Sequence, residues 1–224
     1  MIMQTAQRFL MTALFISAIT LTAQELAPIP LPAPQTDSTE PLMQALKTRH
    51  STRSFKPDTL STQMLGDLCW AAFGISRPES GKRTAPSAMN RQEIDVYVAL
   101  QKGLYLYNAK AHQLQPVVDK DLRAETGTQD YTGKAPVNLV YVADLSKMGD
   151  GSIESKLPYA YADTGFIGEN VYLFCAAKNL GTVVRGSIDR ETLGPLMKLR
   201  RDQKIILAQT LGYPDNSPKD KSKE

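Results

Sequence analysis

Three clusters of residues in this chain could do chemistry. The first is Arg49-His50-Ser51-Thr52-Arg53-Ser54-Phe55. It sets two arginines, a histidine and small hydroxyls side by side. The planar arginine fork matches phosphate oxygens, and serine adds a short donor. The same residues would also suit a solvated helix end, where cations complement the C-terminal dipole. The second cluster is Arg83-Thr84-Ala85-Pro86-Ser87-Ala88-Met89-Asn90-Arg91-Gln92. The flat amide of Asn90 carries a donor and an acceptor and can read the polar edge of a heterocycle. A polar turn built on Pro86 and Asn90 accounts for the same residues. The third is Gly181-Thr182-Val183-Val184-Arg185-Gly186-Ser187. Glycine lets backbone approach a flat ligand closely, with N–H groups facing a ring. A helix C-cap running into a strand is the plainer alternative.

Other chemistries lack their markers. The chain has no Gly-x-Gly-x-x-Gly, no Gly-x-x-x-x-Gly-Lys-Ser/Thr and no Gly-x-Ser-x-Gly, so dinucleotide-fingerprint, P-loop and nucleophile-elbow sites are not indicated. His50 and His112 lie far apart, without metal-ligand spacing. Cys69 and Cys175 are too few for a disulfide framework or a four-cysteine zinc site, and their apolar helix faces predict buried thiols, a Cys69–Cys175 bridge in an oxidising compartment being the alternative.

The elements that must position the three clusters follow from periodicity. Leu42, Met43 and Leu46 predict a short helix ahead of the first cluster. Ser61 predicts an N-cap, with Leu65, Leu68, Cys69 and Ala72 on one helix face and Gly74 at its end. Residues 77–86 read as a loop. Ile94, Val96, Val98 and Leu100 alternate as in a strand, and 104–107 and 113–116 predict two more. A short helix is expected at 119–125 and a valine-rich buried strand at 136–143. Residues 159–180 predict a long, mostly buried helix that Gly181 stops, ahead of a strand at 182–184. Asp189 would cap a helix through Leu199, and 203–211 form the last strand. Helices and strands interleave without a regular β-α repeat. The fold class is therefore α+β, with a mixed or antiparallel sheet flanked by helices.

The chain has 224 residues, 42% of them hydrophobic and 22% charged, enough for one domain with a real core. Its 26 basic and 23 acidic residues leave a net charge of +3, too balanced for a nucleic-acid-binding surface. Residues 1–24 carry Arg8, an apolar run and then the small residues Thr22 and Ala23. This order predicts a secretory signal cut after Ala23 or Gln24, an uncleaved anchor or buried helix being the alternatives. Export to the periplasm or outside the cell, with no membrane attachment after cleavage, is the expectation. Residues 25–41 alternate prolines and read as an extended spacer, 42–214 as the folded domain and 215–224 as a charged tail.

Taken together and in order, the clusters resemble the FMN-dependent nitroreductase family. Arg49 to Phe55 is similar to its N-terminal phosphate motif, and Pro86-Ser87-Ala88-Met89-Asn90-Arg91-Gln92 to its Pro-Ser-x-x-Asn-x-Gln loop. Residues 181–189 resemble its late glycine segment, and Leu211-Gly212-Tyr213-Pro214 its terminal strand exit. Arg83 to Ala88, with Gly103-Leu104-Tyr105-Leu106-Tyr107-Asn108, resembles the SagB-type branch of peptide azoline dehydrogenases. That branch's Lys-Tyr pair has no adjacent counterpart here, Lys156 and Tyr159 being separated. Where many members follow the glutamine with Pro-Trp, this chain has Glu93-Ile94. The resemblance implies a homodimer with FMN in the interface. Arg49, Ser51 and Arg53 would hold the phosphate and ribityl end, with His50 beside them. Ser87 and Asn90 would face the ring. Val184, Arg185 and Gly186 would lie along its N5 side through their backbone. Lys219 or Lys221 would replace a cation common at the family's C-terminus. NAD(P)H or another donor would reduce the flavin, and a small flat acceptor, a nitro compound or a quinone, would reoxidise it. A flavin-binding or flavin-processing protein without turnover, or a non-enzymatic exported binding module, are the alternatives.

Overall fold

The computed structural model describes residues 26–37 and 41–217. The expected signal and the lysines of the tail lie outside these residues. The framework is a seven-stranded sheet in which every pairing is antiparallel. Its strands are β1 (Ile29–Pro30), β4 (Ile94–Leu100), β5 (Gly103–Asn108), β6 (Gln113–Val118), β7 (Val137–Asp144), β8 (Gly181–Arg185) and β9 (Gln203–Gly212), in the order β1-β6-β5-β4-β7-β9-β8. Residues 77–86, expected as plain loop, instead include one strand of a small hairpin, β2 (Ile75–Arg77) paired with β3 (Lys82–Arg83). The helices are α1 (Leu42–Thr48), α2 (Thr62–Phe73), α3 (Ile153–Ala177) and α4 (Arg190–Leu196).

Strand alternation divides the core between the two faces of the sheet. Val96 and Val98 of β4 and Leu139 and Tyr141 of β7 pack with residues of α2 and α3. Tyr97, Ala99, Val140 and Val142 pack on the opposite face with Leu193 of α4. β7 is buried along its whole length, which is why its sequence reads as a continuous apolar run. α2 and α4 start where their caps predict, the Ser61 side chain accepting from Met64 N and that of Asp189 from Thr192 N.

Three sequence expectations change. α3 begins at Ile153, ahead of Pro158, because the Ser152 side chain caps it by accepting from Ser155 N. A proline this close to the start removes few backbone bonds. The stretch 119–125 forms bends and a 3₁₀ turn at Ala124–Thr126 rather than a helix. Finally, α3 is not mostly buried. Tyr159, Tyr161 and Phe166 are about half exposed, and Leu42, Met43 and Leu46 of α1 also face outward.

The proline-rich segment is not a free spacer over its described part. Ile29 and Pro30 pair with Leu114 and Gln113, and proline is tolerated there because β1 is an edge strand. His112 fastens the segment. Its Nε2 donates to the Pro32 carbonyl at 2.8 Å, and its Nδ1 accepts from the Tyr107 hydroxyl at 2.9 Å. Gln35 N then donates to Asp67 of α2 at 2.8 Å. Among the described residues no helix is long and apolar enough to cross a membrane.

Candidate functional site

The first and third clusters meet at the open edge of β8. The backbone polar groups of Thr182 and Val184 point away from β9, as alternation along an edge strand requires. Thr182 O accepts from Thr52 N at 2.9 Å, and Val184 N donates to the Tyr172 hydroxyl at 3.0 Å. Further on, Lys56 N donates to Tyr213 O at 2.9 Å and Asp215 N to Ser54 O at 3.0 Å. The chain after α1 is thus laid along β8 and the exit of β9, with Phe55 buried as its anchor. Gly181 has the close backbone approach expected of it, but toward Thr52. A Cβ there would come within 2.7 Å of Thr52 Cγ2.

Tyr172 of α3 links these pieces, and sequence reasoning did not find it. Its oxygen lies 2.9 Å from Ser51 Oγ as well as near Val184 N, and its ring carries the Arg49 guanidinium at 5.2 Å. A lone tyrosine in a helix already rich in aromatics gives no signal in the sequence. Arg49 sits at the C-cap of α1, half-buried, 4.0 Å from Glu169. So long and exposed an ion pair leaves the arginine available. Arg53 is exposed and makes no ion pair or hydrogen bond among the described residues. His50 is turned back on Thr48 O at 2.8 Å. A cavity of about 260 Å³ opens beside them, lined by Thr48, His50, Thr52, Tyr172, Thr182 and Pro214. Changing Tyr172 to Phe removes the bonds to Ser51 and Val184. At about 1 kcal/mol per hydrogen bond, denaturant titration should show a loss of about 1–2 kcal/mol.

Arg185 has a different role from its neighbours. Its side chain leaves by the opposite face of β8 and is 4% exposed. The guanidinium donates to Thr210 Oγ1 at 2.9 Å, Thr126 O at 2.8 Å, Thr126 Oγ1 at 3.2 Å and Asn138 Oδ1 at 3.1 Å. Burial pushes its pKa down to about 10, so it stays charged at neutral pH. By the same alternation its backbone polar groups face β9, opposite Ala208. Gly186, next in the alternation, is exposed.

The second cluster lies elsewhere along α3. It folds into a loop containing a 3₁₀ turn at Ala88–Asn90, and Ala88 N donates to Asp163 at 2.9 Å. Asp163 and Tyr172 are nine residues apart on one helix, roughly 13 Å at 1.5 Å per residue. Within one chain, then, the basic segment and the Ser87–Asn90 loop are not brought together. Ser87 Oγ accepts from Gln92 N at 2.9 Å, and Asn90 Oδ1 from Gln92 Nε2 at 3.1 Å. The exposed Asn90 amide keeps its N–H donors clear of these bonds. Of the tyrosines considered as pocket walls, Tyr107 is buried against His112, while Tyr159 and Tyr161 face outward.

A wider apolar cleft of about 400 Å³ runs between α1, α2, α3 and residues 34–36. Its buried Asp67 is already bonded to Gln35 and Gln63, and the cleft gathers no pair of arginines. Both cysteines are free and buried, and burial raises the pKa of each thiol, that of Cys175 to about 12. They are packing residues rather than nucleophiles.

Comparison with known proteins adds four findings. A family model described as "Nitroreductase family" matches residues 46–213. A solved structure of a nitroreductase-like protein from Ralstonia eutropha shares 42% identity, with a TM-score of 0.80, covering 84% of this chain and 90% of that one. A nitroreductase-like protein of Methanocaldococcus jannaschii is 24% identical over 169 residues, which is 71% of this chain and 85% of that protein. A Desulfovibrio desulfuricans structure described in complex with FMN shares the fold, at 23% identity and a TM-score of 0.56, covering 78% and 86% of the two chains.

Proposed function

The chain belongs to the nitroreductase family, and we propose that it is an FMN-dependent oxidoreductase working as a homodimer on a small flat electron acceptor, a nitro compound or a quinone. The observation that carries this reading is the β8 edge. Arg49, Ser51 and the outward-facing N–H of Val184 meet there around Tyr172, beside a cavity, with the exposed Arg53 two residues further along the same segment. An anionic end and a flat polar end are what such a donor set would bind.

Bound FMN would supply the redox chemistry, accepting two electrons from NAD(P)H or another donor and passing them to the acceptor in alternate half-reactions. Arg49 and Arg53 would hold the phosphate, with Ser51 adding a donor and His50 flanking it. Gly186 N–H, along with the backbone of Val184, would line the reactive edge of the ring. The exposed Asn90 amide and Ser87 would meet its polar edge. These donors stabilise negative charge on a reduced ring without a side-chain acid or base. The outward apolar residues of α1 and α3, Met43 at 74% and Phe166 at 49% exposed, supply surface for a second copy to bury. Export through residues 1–24 fits the same proposal with a donor other than NAD(P)H. A C-terminal fusion reporter active only in the cytoplasm would remove the export part.

The purified full chain should be yellow, or become so on adding FMN, and should bleach on anaerobic addition of a donor. A colourless protein that leaves FMN fluorescence unquenched ends the flavin reading. A bound flavin that no donor bleaches favours a binding role without turnover.

A further inference from the structure

The loop proposed to face the flavin is conformationally strained and weakly tethered. Met89, Asn90 and Gln92 have φ values of 55°, 53° and 49°. Non-glycine residues in this left-handed region persist only where their surroundings hold them. Ser87, Asn90 and Gln92 bond mostly within the loop or to Arg83 and Gly81 of the neighbouring hairpin. The hydrogen bond from the loop to α3 is the one from Ala88 N to Asp163 Oδ2.

Glu93 closes the other end of this loop, at the entry to β4. Its side chain is 0% exposed, and neither carboxyl oxygen has a hydrogen-bond donor among the described residues. The group within hydrogen-bond reach is the carboxyl of Asp163, itself 3% exposed. Two carboxyls this close associate only when one proton lies between them, because both are otherwise acceptors and both are charged.

We propose that Glu93 and Asp163 share a single proton, and that this proton clamps both ends of the 87–92 loop to α3, making the two acids positioning residues for the flavin-facing loop. The inference rests on the reading of that loop as part of the flavin site. Asp163 grips the loop's start through Ala88 and its end through Glu93. Losing the proton would place two negative charges together in a buried site and release the strained loop.

Burial first, and then Asp163, push Glu93 up to about 7, against the lowering effect of its own backbone N–H and, last, of Arg91 in the loop. The sign follows from linkage. A carboxyl raised in the folded state stabilises docking fully below its ordinary range, and that contribution is lost as pH rises through the raised value. Docking should therefore weaken between about pH 4.5 and pH 7 and be released above it.

The test is FMN affinity of the full chain, from fluorescence quenching between pH 6 and pH 8. Wild-type affinity should fall about tenfold across this range, as release of one linked proton requires. Glu93→Gln, whose amide donates to Asp163 at every pH, should stay within about twofold. Phosphate ionisation near pH 6 affects both proteins alike, so their ratio is the readout. Parallel curves for the two proteins would overturn the clamp. If Glu93→Gln does not fold, Asp163→Asn replaces it, since its amide accepts from Ala88 N and donates to Glu93. If neither protein binds FMN at any pH, the flavin reading has failed and the clamp is judged separately. Amide exchange of residues 86–92 without flavin should then lose protection from pH 6 to pH 8 in wild type but not in Glu93→Gln. Equal protection in both overturns it.

Discussion

Replacing Arg185 with methionine should cost the protein about 3 kcal/mol, measured as a drop in denaturation midpoint at pH 7. The guanidinium ties together three distant pieces of chain: Thr126 ahead of β7, Asn138 within it, and Thr210 in β9. All its partners are neutral, so no carboxylate offsets the cost of burying the charge. Two effects oppose each other when it is removed. Deleting a buried cation recovers desolvation energy. It also leaves Thr126 O without its arginine donor and strips a second donor from Asn138 Oδ1, which still accepts from Thr210 Oγ1 at 2.5 Å. Unsatisfied buried acceptors cost about 1–3 kcal/mol each, and the thioether of methionine cannot replace the fork. The second effect should win. Lysine is a sharper probe, because it keeps the buried charge and cannot reach all four acceptors, so it should destabilise at least as much. Gly127 reports on the same network. Its φ of −176° is ordinary extended backbone, yet a Cβ there would lie 1.8 Å from Arg185 Nη1. Gly127→Ala should therefore behave as a partial Arg185 deletion. A midpoint shift equivalent to less than about 1 kcal/mol for Arg185→Met would show that the network does not hold the loop before β7.

This arginine also shows where reading the sequence stops. Alternation was enough to find β4, and a continuous valine-rich run was enough to find β7, because one strand reports two different faces and the other is buried on both. Ser61 and Asp189 marked helix starts because a cap is a local hydrogen bond. The strand expected at 182–184 stopped one residue short of Arg185, which is the last residue of β8. Which face its side chain would find, and that Thr126, Asn138 and Thr210 would line it, depends on partners 59, 47 and 25 residues away. The prolines of the first described segment misled for a related reason. Extended backbone suits a spacer, and it suits an edge strand equally once β6 is there to pair with. Tyr172, Asp163 and Glu93 gave no pattern because each acts through contacts with segments distant in the sequence. The exposure of Phe166 on a helix that reads as mostly buried follows from a similar non-local fact. The helix pattern records apolar surface, and one chain alone does not cover it.

The double change Arg49→Ala and Arg53→Ala should weaken FMN binding about 100-fold while leaving the fold intact. A charge-assisted hydrogen bond to phosphate contributes about 1.5–3 kcal/mol. Both arginines are at least partly solvated, so the lower end applies and two of them contribute about 3 kcal/mol, a little over two decades of affinity. Folding should be nearly indifferent. Arg49 touches the Tyr172 ring and a Glu169 oxygen at 4.0 Å, and Arg53 has no described ion pair. Riboflavin is the decisive control, since it offers the same ring without phosphate. If the arginines act on the phosphate, riboflavin should bind wild type and double variant alike, and only FMN should distinguish them. FMN affinity of wild type should also fall with added salt more steeply than that of the variant, as expected for a solvated ion pair. Equal loss of FMN and riboflavin would instead mean that the segment shapes the ring pocket through Tyr172 and β8. Unchanged FMN affinity would move the phosphate site away from α1 altogether.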